Sequence, residues 1–370
     1  MESAPRHTLG QLILYFLKLG TVCFGGPVAL IENMRRDLIE ERKWFSEDDF
    51  KEGLALAQLA PGPMATQTAI YLGYLDHGIA GATAAVLAFI LPSFLMVILL
   101  GWAYVRYGGL PWMQSVFYGV GASVIGIIAV SAKKLTEKTL GRDKLLWAVC
   151  LAAAVITIAT ESENVWMFLA AGVLVWWIKA PPKWGRGIGM LAVEPTLLWK
   201  IFLYFGKAGT FVFGSGLVIV PFLYGGVVKD FHWLNDRQFL DAVAVAMITP
   251  GPVVITVAFI GYLVAGMKGA SVAALGTFLP CYLFTVIPAP YFKKYGKLPG
   301  IAAFVAGVTA AAMGAITGAV FVLGRRSIID VPTALFALAS AAVLWKKKLS
   351  EPVIVLIAGL IGLALKFIAI

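Results

Sequence analysis

The chain has 370 residues, of which 60% are hydrophobic and 14% charged, with a mean hydropathy of +0.87. A soluble domain carries about 45–50% apolar and about 25% charged residues, so this composition excludes one and describes an integral membrane protein. The formal charge of +10 sits in short basic clusters between apolar stretches, a pattern that fits loops beside anionic lipid and not a nucleic-acid partner.

About 20 apolar residues are needed to cross a hydrocarbon core about 30 Å thick. In chain order such stretches fall at 9–30, 80–105, 113–132, 144–160 and 163–179. They resume at 196–220, 268–289, 299–323, 331–345 and 352–369, which makes five expected crossings in each half. The first is expected to be structural and not a cleaved signal, because its counterpart recurs in mid-chain. Asn33 to Trp44 reads as an amphipathic interfacial helix. The segments 50–75 and 239–265 are apolar but broken at their centres by Pro61-Gly62-Pro63 and Pro250-Gly251-Pro252. A polar, Pro- and Gly-containing stretch divides the chain into a first membrane repeat (1–179), a linker (180–195) and a second membrane repeat (196–370).

The halves are copies. Residues 18–63 align without a gap on 207–252, sharing Lys18/Lys207, Gly20/Gly209, Thr21/Thr210, Phe24/Phe213, Gly25/Gly214, Trp44/Trp233, Phe50/Phe239 and both Pro-Gly-Pro triplets. Dropping one residue after the triplet extends the match, for example Leu91-Pro92 on Leu279-Pro280 and Gly126 on Gly314. Equivalent loops carry opposite charge bias. Arg35, Arg36, Arg42, Lys43 and Lys51 face only Lys229 and Arg237, whereas Arg106 faces Lys293, Lys294 and Lys297. Under the positive-inside rule that reversal indicates inverted repeats, although Arg325 and Arg326 dissent. The expected fold is an all-α polytopic membrane protein of two inverted repeats with broken or re-entrant helices, both termini lying outside.

Candidate site residues cluster at the breaks. Two prolines around a glycine end one helix and start another, and lipid tolerates this only where freed backbone groups face protein or a wet cavity. The half-helix that follows presents free N–H groups and a partial positive charge, which attract anions. Gly25-Gly26 and Gly214-Ser215 form a second duplicated break, for which close helix packing is the competing reading. Lys18 and Lys207 lie too deep in their spans for comfortable snorkelling and are expected to contact an anion. Gln58, Thr66, Gln67, Thr21 and Thr210 supply amides and hydroxyls able to replace an oxyanion's water shell. Paired intramembrane carboxylates suited to a cation are not evident. Cys23, Cys150 and Cys281 are scattered through apolar stretches, and His7, His77 and His232 fall at the terminus or in loops. No metal site, catalytic residue or cofactor is therefore expected.

The pairing of Phe24-Gly25-Gly26 with Pro61-Gly62-Pro63, and of Phe213-Gly214-Ser215 with Pro250-Gly251-Pro252, resembles the chromate ion transporter family in its long two-domain form. The resemblance covers essentially the whole chain; its second glycine motif is degenerate, which makes the halves unequal. It implies a bacterial inner-membrane protein that exports chromate, with sulfate as the chemically similar competitor. A carrier or channel for another anion is the alternative. Oligomeric state is open, a homodimer being one expectation.

Overall fold

In the computed structural model, residues 7–23, 26–107, 111–160, 165–180, 196–210, 213–214, 219–292, 299–346 and 349–368 are described. Nearly all of them are helical, and the protein is an all-α polytopic membrane protein. The first repeat contains α1 (Leu9–Val22), α2 (Gly26–Arg35), α3 (Glu47–Leu59), α4 (Met64–Tyr107), α5 (Pro111–Leu140), α6 (Lys144–Thr160) and α7 (Val165–Lys179). The second contains α8 (Leu197–Thr210), α9 (Ile219–Tyr224), α10 (Asp236–Ile248), α11 (Thr256–Val286), α12 (Pro299–Ser327), α13 (Val331–Trp345) and α14 (Glu351–Ile368). A π-helical turn continues α2 at Arg36–Glu41, and its duplicate continues α9 at Gly225–Asp230.

The duplicated breaks make each repeat begin with two re-entrant hairpins. At 14 residues and 1.5 Å per residue, α1 and α8 are about 21 Å long, short of the hydrocarbon thickness. The expected crossings at 9–30 and 196–220 are therefore corrected: α1 ends at Val22 and the chain turns back. His7, just before α1, stacks on Trp44 with ring centroids 4.1 Å apart, and Arg42 lies over the Tyr15 ring. Entry and exit thus share one face, and residue 7 lies on the same face as the first basic loop, not outside as expected. The stretch from Asn33 to Trp44 is amphipathic as expected: Met34 and Leu38 are fully buried against the protein, whereas Arg36, Glu40, Glu41, Arg42 and Lys43 are exposed.

The second hairpin pairs α3 with the first arm of α4, Gly53 lying against the Tyr71 ring. Helix α4 then folds at His77–Gly78, where glycine takes φ +58, and its long arm (79–107) crosses. The duplicate fold in α11 is at Ala265–Gly266, with φ +59 at the glycine. Glycine pairs let these arms touch: a Cβ on Gly73 would sit 2.4 Å from the Gly81 carbonyl oxygen, and one on Gly261 2.4 Å from that of Gly269. His7 and His77 both contact the Asp76 carboxylate, clasping this fold to the N-terminus.

The equivalent long arms of α4 and α11 run antiparallel. Ala82 and Val86 pack with Cys281, and the Thr83 hydroxyl meets that of Tyr282 at 2.8 Å. Val97 and Ile98, further along α4, join the cluster holding Ala270 and Ala274. Two copies of one helix can lie antiparallel only if the repeats are inverted, as the loop charges require. The halves also exchange partners. Helix α5 packs against α13 and α14, and α12 against α6 and α7. Glycines mediate both contacts, Gly126 on the Ala337 carbonyl and Gly314 on that of Cys150. Among the described residues four helices are long and apolar enough to span a membrane: α4, α5, and the segments Val253–Tyr291 and Ala302–Ser327. The expected stretches 144–160, 163–179, 331–345 and 352–369 are helices with nearly those bounds, shorter than the four long ones, and only 9–30 and 196–220 are interrupted.

Gly73→Ala places a methyl against backbone and is expected to destabilise by about 1–3 kcal/mol. Gly121→Ala, where a Cβ meets nothing within 4 Å, is expected to be neutral or slightly stabilising. Thermal unfolding in detergent should separate the two, with a lower midpoint for Gly73→Ala alone.

Candidate functional site

The four hairpin tips meet at the centre, and each break finds its partner in the other half. Gly62 and Pro63 pair in parallel with Phe213 and Gly214, a two-residue bridge in an otherwise helical protein. On the opposite side the Gly251 N–H donates to the Cys23 carbonyl at 3.0 Å. Gly62 (φ +142) and Gly251 (φ +96) adopt backbone that other residues rarely enter, which explains the glycine in each triplet. Pro63 and Pro252 each immediately precede the first helical residue after the break.

The long crossing arms close both junctions. Ser93, fully buried midway along that arm of α4, donates to the Pro250 carbonyl at 2.7 Å. Its duplicate is Cys281, whose sulfur lies 2.7 Å from where a Gly62 Cβ would project. Sequence reasoning missed this pair. The repeated Leu-Pro dipeptide immediately before Ser93, and its copy ending one residue before Cys281, was the available signal.

The junctions differ in polarity. At the first, the Gln67 side chain donates from Nε2 to the Pro61 carbonyl at 2.8 Å, while its Oε1 has no partner. Thr66 Oγ1 is likewise unpartnered, and both residues are fully buried in the first turn after the break. At the second junction the equivalent positions are Val254 and Ile255, also buried but apolar. Unpaired buried polar atoms cost about 1–3 kcal/mol each, so a concentration of them at one of two related positions marks a place built for something else.

The remaining expected residues fall into three groups. Lys18, Thr21 and Gln58 lie near the deep ends of α1 and α3 yet are exposed, as is Lys207 in α8. These side chains are therefore not part of the buried junction. Thr21 and Thr210 donate their hydroxyls to Leu17 and Gly206 in the preceding turn, which leaves neither proton for an anion. Gly26 opens α2 and Gly214 is in the bridge, whereas Gly25 and Ser215 lie outside the described residues.

Sequence reasoning did not single out two carboxylates that the repeat relates. Glu52 in α3 and Asp241 in α10 occupy equivalent positions of the two repeats. Each has a tyrosine partner, Tyr71 for Glu52 and Tyr104 for Asp241. The tyrosines are not equivalent, so the repeat pattern does not reveal the pairing.

Gly251→Ala would force both a strained φ and a Cβ 2.0 Å from Ser93 Oγ, and transport should be lost. Ser93→Cys, which copies the residue at the other junction, should retain most of the flux. A transport assay on the two variants checks both outcomes.

No solved structure matches this chain. The chromate transporter family model matches it twice, over residues 10–176 and 199–363. The chain is 66% identical to the chromate transport protein of Cupriavidus metallidurans, covering 98% of this chain and 94% of that one. It is 60% identical to the probable chromate transport protein of Synechococcus elongatus (97% and 96% covered). With the chromate transport protein of Pseudomonas aeruginosa the identity is 31% (97% and 92%). Both repeats match the family model, and the relatives align along nearly their whole length: the chain belongs to the chromate transporter family.

Proposed function

We propose that this protein exports chromate across a bacterial inner membrane by alternating access, and that the oxyanion binds at the first junction. The observation that carries the reading is the pair of fully buried polar side chains Thr66 and Gln67, with Thr66 Oγ1 and Gln67 Oε1 unpartnered, at the start of a half-helix between inverted repeats. The Gln67 amide carries a second N–H beyond the one on the Pro61 carbonyl, and the Thr66 hydroxyl is an unused donor, so both can serve an anion. The half-helix dipole supplies positive potential at the same point. Lys18 and Lys207 hold the anion in the approach to the tips. The face bearing Arg35, Arg36, Arg42, Lys43 and Lys51 is read as cytoplasmic.

The repeats, taken as 1–179 and 196–370 joined by 180–195, rock about the paired breaks. The membrane potential favours export. Moving a divalent anion out of an inside-negative cell is worth about 4.6 kcal/mol at 100 mV. At about 1.4 kcal/mol per tenfold, that sustains a gradient of roughly a thousandfold. Sulfate is a second candidate, because the junction offers donors for any tetrahedral dianion. The surrounding bilayer is the only other partner the reading requires.

Purified protein in liposomes should move chromate down an imposed potential, and competition by sulfate ranks the two ions. Failure to move either would overturn the reading. Gln67→Leu should weaken chromate binding at least tenfold, from the loss of a hydrogen bond to a charged group worth about 1.5–3 kcal/mol. Ile255→Val at the apolar junction should leave it unchanged. Lys18→Ala and Lys207→Ala should each weaken binding; unchanged affinity in both removes lysine from the pathway.

A further inference from the structure

A cavity of about 430 Å³ lies away from the junctions, lined by Tyr104, Gln114, Phe117, Arg237, Asp241 and Leu263, among others. The long arm of α4 starts beside His77, on the face of the first basic loop, and its far end carries Tyr104. The cavity therefore belongs to the opposite face. Asp241 lines it while being only 3% exposed, and one of its carboxylate oxygens accepts from the Tyr104 hydroxyl at 2.7 Å.

The charged and titratable groups acting on Asp241 are few. Tyr104 reaches it from α4, and Arg237 lies one turn earlier on α10 with its guanidinium on the Gln114 carbonyl. Helices α5 and α11 contribute Gln114, Phe117 and Leu263 to the cavity, none of them ionisable. On α14, which also packs on α10, Glu351 is hydrogen-bonded to Ser131. Lys229 of the neighbouring π-turn and Arg326 act on Asp236. Among the described residues no ion pair holds Asp241. A buried carboxylate without a contacting counter-ion is costly inside a membrane, and taking up a proton removes the cost. The cavity gives water a route to it. Inversion places the equivalent Glu52 in α3, which enters from the basic face, so each side of the membrane is offered one carboxylate.

We propose that export is coupled to inward proton movement, with Asp241 as the carboxylate that loads from the cavity and Glu52 as its counterpart on the basic face. This rests on the export reading above and names its coupling ion. Water in the cavity yields a proton to the free oxygen of Asp241. The neutral side chain allows the α10 arm, whose tip is the second Pro-Gly-Pro triplet, to change position without carrying a buried charge. The proton is lost to water on the basic face as the repeats exchange access, and the oxyanion leaves in the opposite sense. An inward proton and an outward dianion both draw on an inside-negative potential, so the coupling adds to the driving force.

The test uses the full-length protein in liposomes with the potential clamped at zero and a pH gradient imposed. Wild type should drive net chromate flux against no other gradient. In Asp241→Asn the ratio of pH-driven flux to chromate–chromate exchange should fall at least tenfold, and Asp241→Glu should restore it. Tyr104→Phe, which removes the donor favouring the ionised carboxylate, should move the pH midpoint of flux upward. Wild-type flux that ignores the pH gradient but follows voltage overturns the coupling and leaves the export reading intact. An unchanged ratio in Asp241→Asn overturns the assignment to Asp241. Absence of any chromate movement in wild type, under voltage or exchange, counts against export itself.

Discussion

A helix interrupted inside lipid leaves backbone donors and acceptors that must find partners within the protein. This chain interrupts its helices at four places near the membrane centre and answers the requirement by crossing the halves over. Gly62 and Pro63 of the first half bridge to Phe213 and Gly214 of the second, and Gly251 of the second donates to Cys23 of the first. The same crossing-over appears where α5 packs on α13 and α14 and α12 packs on α6 and α7. Pairing the breaks also places the least regular backbone at the interface that must move if access alternates.

Symmetry builds the frame and its violations carry the chemistry. Ser93 and Cys281 approach the opposite triplets in the same way, as do the glycine pairs that close the folds of α4 and α11. Against that background Gln67 and Thr66 stand opposite Ile255 and Val254, so one junction carries unpartnered hydrogen-bonding atoms at positions where the other has apolar side chains. The clasp of His7 and His77 on Asp76 has no copy either: its equivalents include Val264 and Ala265. A perfect inverted repeat would bind equally well in both junctions. In the proposed reading, breaking the symmetry at a few side chains confines binding to one junction while both breaks persist.

Much of the frame was legible because backbone exceptions are written in residue types. Proline and glycine announce a broken helix, their duplication announces a repeat, and loop lysines and arginines announce inversion. The lengths of the crossings were less legible. An apolar run from residue 9 to 30 looks like one span, since hydropathy does not register that the chain reverses after Val22. The carboxylates at 52 and 241 escaped notice because each differs from its copy in type and is held by a tyrosine from a different position of the repeat. The depth of Lys18 could be read from its place in the sequence, but not that its side chain is uncovered.

The sequence by itself determined a polytopic helical protein, two inverted copies, four helix breaks and the glycines those breaks need, because these follow from local backbone preference and from counting charges. Only the tertiary structure decided that the breaks pair between halves, that the first break is a hairpin tip, and that Gln67 Oε1 and Thr66 Oγ1 are buried without partners. Partnership across 150 residues of chain is a matter of which surfaces meet. No local propensity encodes it, and in lipid, where apolar surfaces gain little by association, glycine contacts and backbone hydrogen bonds select the pairs.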